Sequence, residues 1–512
     1  MVNTSKQRIY NWYISLVAAS CMVLYGYDAA VFNAVQGSKN WVNYYGNPDP
    51  NQIGAVNTAT TVAGIIVGWF LTAPLSDYFG RRVAMFCGAF VVFFSTFIQA
   101  FAPAGHGIGA FIAGRALVGA GQALAIPAGP VYIGELAPPD IRGKIMSFWQ
   151  MFFSVGSFIA YWVNYACTKN VPALGNWDWR MVVIFQLLFP GIICALIFFC
   201  PETPRWYVQH GKMDEAREAL RKVRETEEEV ESELLQIKQA IEYEKHVIDG
   251  RYAPLWKDKS IRKRLLLAFV LNFGQQVTGQ GSLNSYSTIV YKKVFKDNST
   301  IQLINALNGT FGILFTLNAT WTVDRYGRKF LLFVGAIGMA ICMVLSASVY
   351  IGTPDNADGS KDTGVASGIV FLMFLFALFY KPSWGAAVWI WSSEVFSMNV
   401  RAQAVAMSAQ MQGVGNAIVN QIFPLILAKI GFKAMYMFAG INVLLAAFVW
   451  FFLPETKGYA LEDMDTLFGG VSHTEKGAHF VENEVLGEAL GKEGTELTVQ
   501  QVEHASNKKE TV

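Results

Sequence analysis

Charge is what this sequence has least of. Only 15% of its 512 residues are Asp, Glu, Lys or Arg, while 53% are hydrophobic and 14% aromatic. A soluble chain of that length would form two or more domains with charged surfaces; this composition excludes that and points to a chain that crosses a membrane many times. The six cysteines, Cys21, Cys87, Cys167, Cys194, Cys200 and Cys342, lie in or beside apolar segments with no CxxC pair and no neighbouring histidine. They read as small packing residues, not as metal ligands or a redox motif. No nucleophile, metal cluster or phosphate loop is visible, so neither an enzyme nor a cofactor is expected. The formal charge is +2, and Lys and Arg cluster in short loops between apolar runs, which describes membrane topology and gives no reason to expect a nucleic-acid partner. Met1 to Arg8 is polar and has no cleavable look, so the first apolar run is expected to serve as its own insertion signal.

Runs of spanning length fall at about 11–35, 54–75, 83–103, 108–133, 145–166 and 181–200, and again at about 264–291, 301–322, 330–352, 366–392, 403–428 and 432–453. These are spans 1 to 12. Arg81 and Arg82, Arg142 and Lys144, Arg325, Arg328 and Lys329, and Arg401 all follow even-numbered spans, which places those loops and both termini in the cytoplasm. The expected division is a short N-terminus (1–9), a six-helix bundle (10–200), a cytoplasmic helical linker (201–262), a second six-helix bundle (263–453) and a cytoplasmic tail (454–512), disordered past about Gly470. Within the linker, EAREALRKVRETEEEVESELLQIKQAIEYE reads as amphipathic helix with solvated charged faces, broken near Asp249 and Gly250.

An internal repeat ties the halves together. Asp77-Tyr-Phe-Gly-Arg-Arg82 recurs as Asp324-Arg-Tyr-Gly-Arg-Lys329, Glu135 with Arg142 recurs as Glu394 with Arg401, and Pro201-Glu202-Thr203 recurs as Pro454-Glu455-Thr456. The period covers six spans, an even number, so both halves enter the membrane with the same orientation and are related by an axis along its normal. A solute path would run between them.

Two regions carry polarity that hydrocarbon tolerates poorly. Asn272 to Tyr291, NFGQQVTGQGSLNSYSTIVY, holds adjacent glutamines, hydroxyls and three glycines. Such a mixture lines a wet site for a neutral hydroxylated solute, or else joins helices by amide hydrogen bonds. Asp28 is the one acid inside span 1 and Arg115 the one charge inside span 4. Each stands about seven residues from the outer end of its span, about 10 Å deep, so they are expected to pair, either as a static structural bridge or as a site that takes up and releases a proton.

The chain resembles the sugar porter branch of the major facilitator superfamily, and within it the fungal monosaccharide transporters, over about residues 10 to 460. The resemblance is carried by DYFGRR and DRYGRK, by GRALVGAGQALAIPAGPVYIGELAPPDIRGK through span 4, by PETPRW, by QQVTGQG and by PETKG, all in register. It implies an all-α membrane protein with the major facilitator fold, twelve transmembrane helices in two six-helix halves, working as a monomer in membrane lipid, in the plasma membrane. It implies a small-molecule sugar substrate and, as coupling ion, a proton carried at Asp28 and tuned by Arg115. Passive facilitation of a sugar, transport of a polyol, sugar acid or disaccharide, and a non-transporting sensor stay open beside proton symport. Sugar contacts are implied for Gln150, Gln275, Gln276, Trp389, Gln412 and Asn416; amides meet ring hydroxyls and an indole face meets the sugar's C–H surface. A cytoplasmic gate is implied for Asp77, Arg81, Arg82, Glu135, Arg142 and Glu202, with Asp324, Arg328, Glu394, Arg401 and Glu455 opposite. Two departures stand out: Gly281 and Gly312 replace asparagines of many family members, and the adjacent-tyrosine pattern is reduced to Ser285-Tyr286, so Gln280, Asn284 or Asn308 are expected to compensate. Asn298, in NST on the expected outer face, is a candidate for glycosylation.

Overall fold

A computed structural model describes residues 6–103, 107–138, 149–247, 259–356, 360–396 and 401–457, together with Trp256 and Phe468. Among them every regular element is helical. Nine stretches are long and apolar enough to cross a membrane, and one of these, Gln403–Phe452, contains two helices, Arg401–Ile430 and Ala434–Phe452. Two further helical segments, Trp149–Lys169 and Lys259–Val277 continued by Gln280–Tyr291, have spanning length but carry the amides and hydroxyls expected of a cavity wall. They are spans 5 and 7, and they complete the twelve helices that the resemblance implies. The remaining spans are 1, Lys6–Val35; 2, Pro50–Phe70 with Thr72–Phe79; 3, Arg81–Phe101; 4, Gly109–Leu136; 6, Trp177–Phe199; 8, Asn298–Tyr326; 9, Arg328–Gly352; 10, Thr363–Glu394; 11, Arg401–Ile430; and 12, Ala434–Phe452.

The halves meet through span 2 on span 11, its repeat-related counterpart span 8 on span 5, and span 1 on the second helix of span 7. Within each half, the repeated motifs explain how spans are fastened at one end of the bundle. Span 2 stops at Gly80 and span 8 at Gly327, whose φ of +99° and +87° suit a residue without a Cβ. The chain turns there and starts the next helix, leaving N–H groups with no intrahelical acceptor. Glu202 accepts from the backbone N–H groups of Arg81 (3.1 Å) and Arg82 (3.0 Å); Glu455 does the same for Arg328 (2.9 Å) and Lys329 (3.0 Å). A carboxylate at a helix N-terminus also meets the positive end of the helix dipole. Burial pushes the Glu202 carboxyl up from the usual carboxylate range, against the pull of those donors.

The charges expected to gate the inner mouth follow the same plan. Arg81 pairs with Asp77 at 3.4 Å and Glu135 at 3.4 Å, and Arg328 pairs with Glu394 at 2.7 Å. Arg82 donates to the Cys200 carbonyl at 3.0 Å. Each of these contacts joins spans of one half. Arg142 lies outside the described residues, and of Asp324 and Arg401 only the backbone is described.

The linker supplies helices Pro204–Gln209, Met213–Val223 and Glu227–Val247. Ala216, Leu220, Val230 and Leu234 form a small apolar core of their own, as the amphipathic pattern predicts. Arg224 docks this unit by donating to the Leu136 carbonyl at the end of span 4 (2.9 Å), while Asn11 of span 1 donates to the Val223 carbonyl (2.8 Å).

Candidate functional site

A small cavity, with about 50 Å³ of room for water and about 540 Å³ when the open solvent at its mouth is counted, lies where the halves meet. Span 5 contributes Phe153, Ser154, Ser157 and Tyr161; span 7 contributes Gln280 and Asn284; span 8 contributes Asn308, Gly309 and Gly312; span 10 contributes Ala377 and Lys381. Gln280, Asn284 and Asn308, expected to compensate for the missing asparagines, therefore all reach the cavity wall, and Gln280 donates to Asn284 at 2.8 Å. At Gly312 a Cβ would meet nothing within 4 Å, so the glycine adds open space to the site.

Asp28 and Arg115 are brought together. They form a hydrogen-bonded ion pair, the carboxylate and the guanidinium are each only 3% exposed, and Gln186 of span 6 also donates to Asp28 at 3.0 Å. Leaving either charge without its partner at this depth would be strongly unfavourable, about 3–5 kcal/mol. Arg115 Nε is buried without an acceptor, so the guanidinium is only partly satisfied.

The residues expected to contact a sugar are distributed differently from that expectation. Gln275 is buried and donates to the carbonyls of Trp384 (2.7 Å) and Gly385 (3.5 Å). Those carbonyls belong to a π-helix, Lys381–Ala387, whose wider turn lacks ordinary α-helical bonding; Gln275 braces it. Gln412 donates to Asn272 at 2.8 Å, which donates to Ser392 at 2.9 Å, a chain joining spans 11, 7 and 10. Asn416 accepts from Asn420. Gln276 is half-buried against Gly281, its Oε1 3.3 Å from where a Cβ there would sit, and Trp389 is 44% exposed. Of Gln150 only the backbone is described, one turn before Ser154. None of the five whose side chains are described is among the residues lining the cavity in this conformation. Asn298 opens span 8, half-buried, and accepts from Gln302 at 3.5 Å.

A seam of polar contacts closes the end of the cavity opposite the motifs. Asn33 donates to Ser287 (2.6 Å) and Tyr161 (3.2 Å) and accepts from the Thr288 N–H (3.1 Å) and Gln36 (3.2 Å). Gln36 donates to the Ser285 carbonyl (2.6 Å), Asn164 to Gln302 (2.6 Å) and Trp162 to Thr310 (3.1 Å). The Thr288 N–H is free to reach Asn33 because the backbone leaves helical geometry at Tyr286 (φ −135°, ψ 15°). Spacing gave no sign of this seam: Asn33, Asn164 and Gln302 lie on helices of spans 1, 5 and 8 and Gln36 just past the end of span 1, legible only as polar groups that need partners. Lys381 was equally legible, as the one cation inside span 10, by the rule that found Asp28 and Arg115.

Known proteins are similar to this chain in sequence and in fold. Probable quinate permeases of Aspergillus niger and Aspergillus terreus are 31% and 30% identical over 485 residues, which is 90% of this chain and 89% and 88% of theirs. The inward open conformation of the xylose transporter XylE from E. coli is 28% identical and superposes with a TM-score of 0.74, covering 90% of this chain and 100% of that one. Its partially occluded inward open form gives 0.72 at 27% identity, covering 88% and 100%. Residues 14–468 match the sugar (and other) transporter family, and with that match spanning both halves and the cavity between them, the chain belongs to this family.

Proposed function

We propose that the chain moves a monosaccharide, or a related cyclic polyol or hydroxy acid, by alternating access in symport with a proton. The observation that carries the coupling is the buried pair of Asp28 and Arg115 with Gln186 beside it. Both groups belong to the N-terminal half, so the step is a shift of span 4 against span 1 coupled to the rocking of the halves: withdrawing the guanidinium leaves a carboxyl in hydrocarbon, which favours its neutral, protonated form, and return of Arg115 expels the proton. Asp28 is thus the proton carrier and Arg115 the group that tunes it. The closed seam supports an inward-facing state, as does the likeness to inward open XylE. Relatives named as quinate permeases support a polyhydroxylated ring of monosaccharide size as cargo. The expected setting is the plasma membrane with both termini cytoplasmic and a monomer as the working unit, and the motif charges, Arg142 and Arg401 included, are the inner gate.

The test is uptake of a panel of labelled sugars and hydroxy acids in a transporter-null cell, with and without a protonophore. Wild type should accumulate substrate only without protonophore, and Asp28→Asn should abolish accumulation while sparing exchange of preloaded substrate. Uptake indifferent to the protonophore in both proteins would assign passive facilitation instead.

A further inference from the structure

We infer that the cargo carries a carboxylate and that Lys381 is the cation that receives it; the inference rests on the cavity being the transport site. Lys381 stands near the middle of span 10, the 32-residue stretch Thr363–Glu394, and lines the cavity. Its Nζ lies 6.0 Å from the centroid of the Phe153 ring on the opposite half. Among the described residues no acid lines the cavity and no carboxylate forms an ion pair with Lys381. Arg115, the cation inside span 4, is neutralised by Asp28.

An ammonium at bilayer depth costs about 2.5–3.5 kcal/mol even on lenient scales; Lys381 has the Phe153 ring face to offset part of this but no ion-pair partner among the described residues, and such groups mark sites that handle charge. A neutral sugar needs none. Around Lys381 the wall offers the hydroxyls of Ser154, Ser157 and Tyr161 and the amides of Gln280, Asn284 and Asn308, which suit ring hydroxyls. The cavity therefore presents one positive charge beside a ring of neutral donors and acceptors, the complement of a polyhydroxylated monocarboxylate. Its backbone setting is specialised as well. Lys381 opens the π-helix that Gln275 braces, and a π segment held by a buried partner re-aims side chains where a site requires it. Lysine suits a carrier better than arginine does, because a compact, rotatable ammonium holds a carboxylate without the bidentate fork that slows release. Gly312, with open space before it, leaves room for the added group.

The experiment compares uptake of labelled quinate and D-glucuronate with D-glucose and D-xylose in transporter-null cells expressing wild type, Lys381→Met or Lys381→Arg at matched surface levels. Wild type should prefer the acids, Lys381→Met should lower the acid-to-neutral uptake ratio about 10- to 100-fold, the loss expected for one charge-assisted hydrogen bond, and Lys381→Arg should restore part of it. Purified wild-type protein gives a readout independent of whether the variants fold: the acids should raise its melting temperature and the neutral sugars should not. Neutral sugars carried and bound as well as acids by wild type, or Lys381→Met reducing all four solutes alike, would overturn the inference while leaving the transport reading intact. No uptake of any panel member by wild type at the cell surface would overturn both.

Discussion

Asn33 is where the closed seam can be weakened with the fewest side effects. Its carboxamide takes part in four hydrogen bonds, to Ser287, Tyr161, the Thr288 N–H and Gln36, and two of these, to Ser287 and the Thr288 N–H, cross between the halves. Side-chain hydrogen bonds inside membrane bundles average about 0.6 kcal/mol, so loss of the two crossing bonds in Asn33→Ala should destabilise the closed seam by about 1.2 kcal/mol. If the partners regain water when the seam opens, the whole difference acts on the equilibrium between states and shifts it about 8-fold. Span 1 also lines the cavity, through Ala29 and Ala30, and the assay is the rate at which a membrane-impermeant thiol reagent modifies Ala30→Cys there, with the six native cysteines replaced by serine. Applied from the side of the seam, the reagent should react about 8 times faster in the Asn33→Ala background, and no faster from the motif side. A rate from the seam side that changes less than twofold would refute the assignment of Asn33 to the gate.

Gln275→Ala should lower the melting point of ligand-free protein, corresponding to about 1–3 kcal/mol, because it strips the brace from the Trp384 and Gly385 carbonyls. A residue that only touched substrate would leave ligand-free melting unchanged. Gly327→Ala should cost about 1–2 kcal/mol by the same measurement, since its φ is +87° and a Cβ would stand 2.7 Å from Glu455 Oε2. Gly312→Ala, with nothing within 4 Å, should stay within about 0.5 kcal/mol of wild type. If one proton travels with one monoanion, transport of an acid should produce no current in a voltage-clamped cell, whereas a neutral solute should carry an inward one.

The sequence makes the scaffold legible because the scaffold is built from periodic and repeated signals. Apolar runs give the spans, and the turn glycines Gly80 and Gly327 with the acids Glu202 and Glu455 recur because each half solves the same helix-end problem. Asp28 and Arg115 are legible because isolated charges in hydrocarbon demand partners, and each span offers one. The amides were harder to place. Gln275 and Gln412 have the chemistry of ligands, but an amide serves a carbonyl of a π-helix or a neighbouring Asn272 as readily as a sugar hydroxyl, and spacing cannot say which. The seam depends on residues 128 and 254 positions apart, Asn33 with Tyr161 and with Ser287, so no local pattern announces it.

The π-helix at Lys381–Ala387 gives span 10 a crank. Ala377 and Lys381, four apart on the α-helical side, share the cavity face, yet beyond the wide turn Trp384 is turned inward to donate to the Leu332 carbonyl at 3.0 Å and Trp391 to the Pro454 carbonyl at 3.3 Å. Each residue of an α-helix advances the side-chain direction by about 100°, so one residue more or less in the wide turn resets everything downstream by that angle. Counting with an unbroken helical period across this segment misassigns the face of every later residue. A one-residue deletion there would keep the helix but rotate Trp389 and Glu394 relative to Lys381, separating the part of span 10 that meets cargo from the part that fastens the bundle.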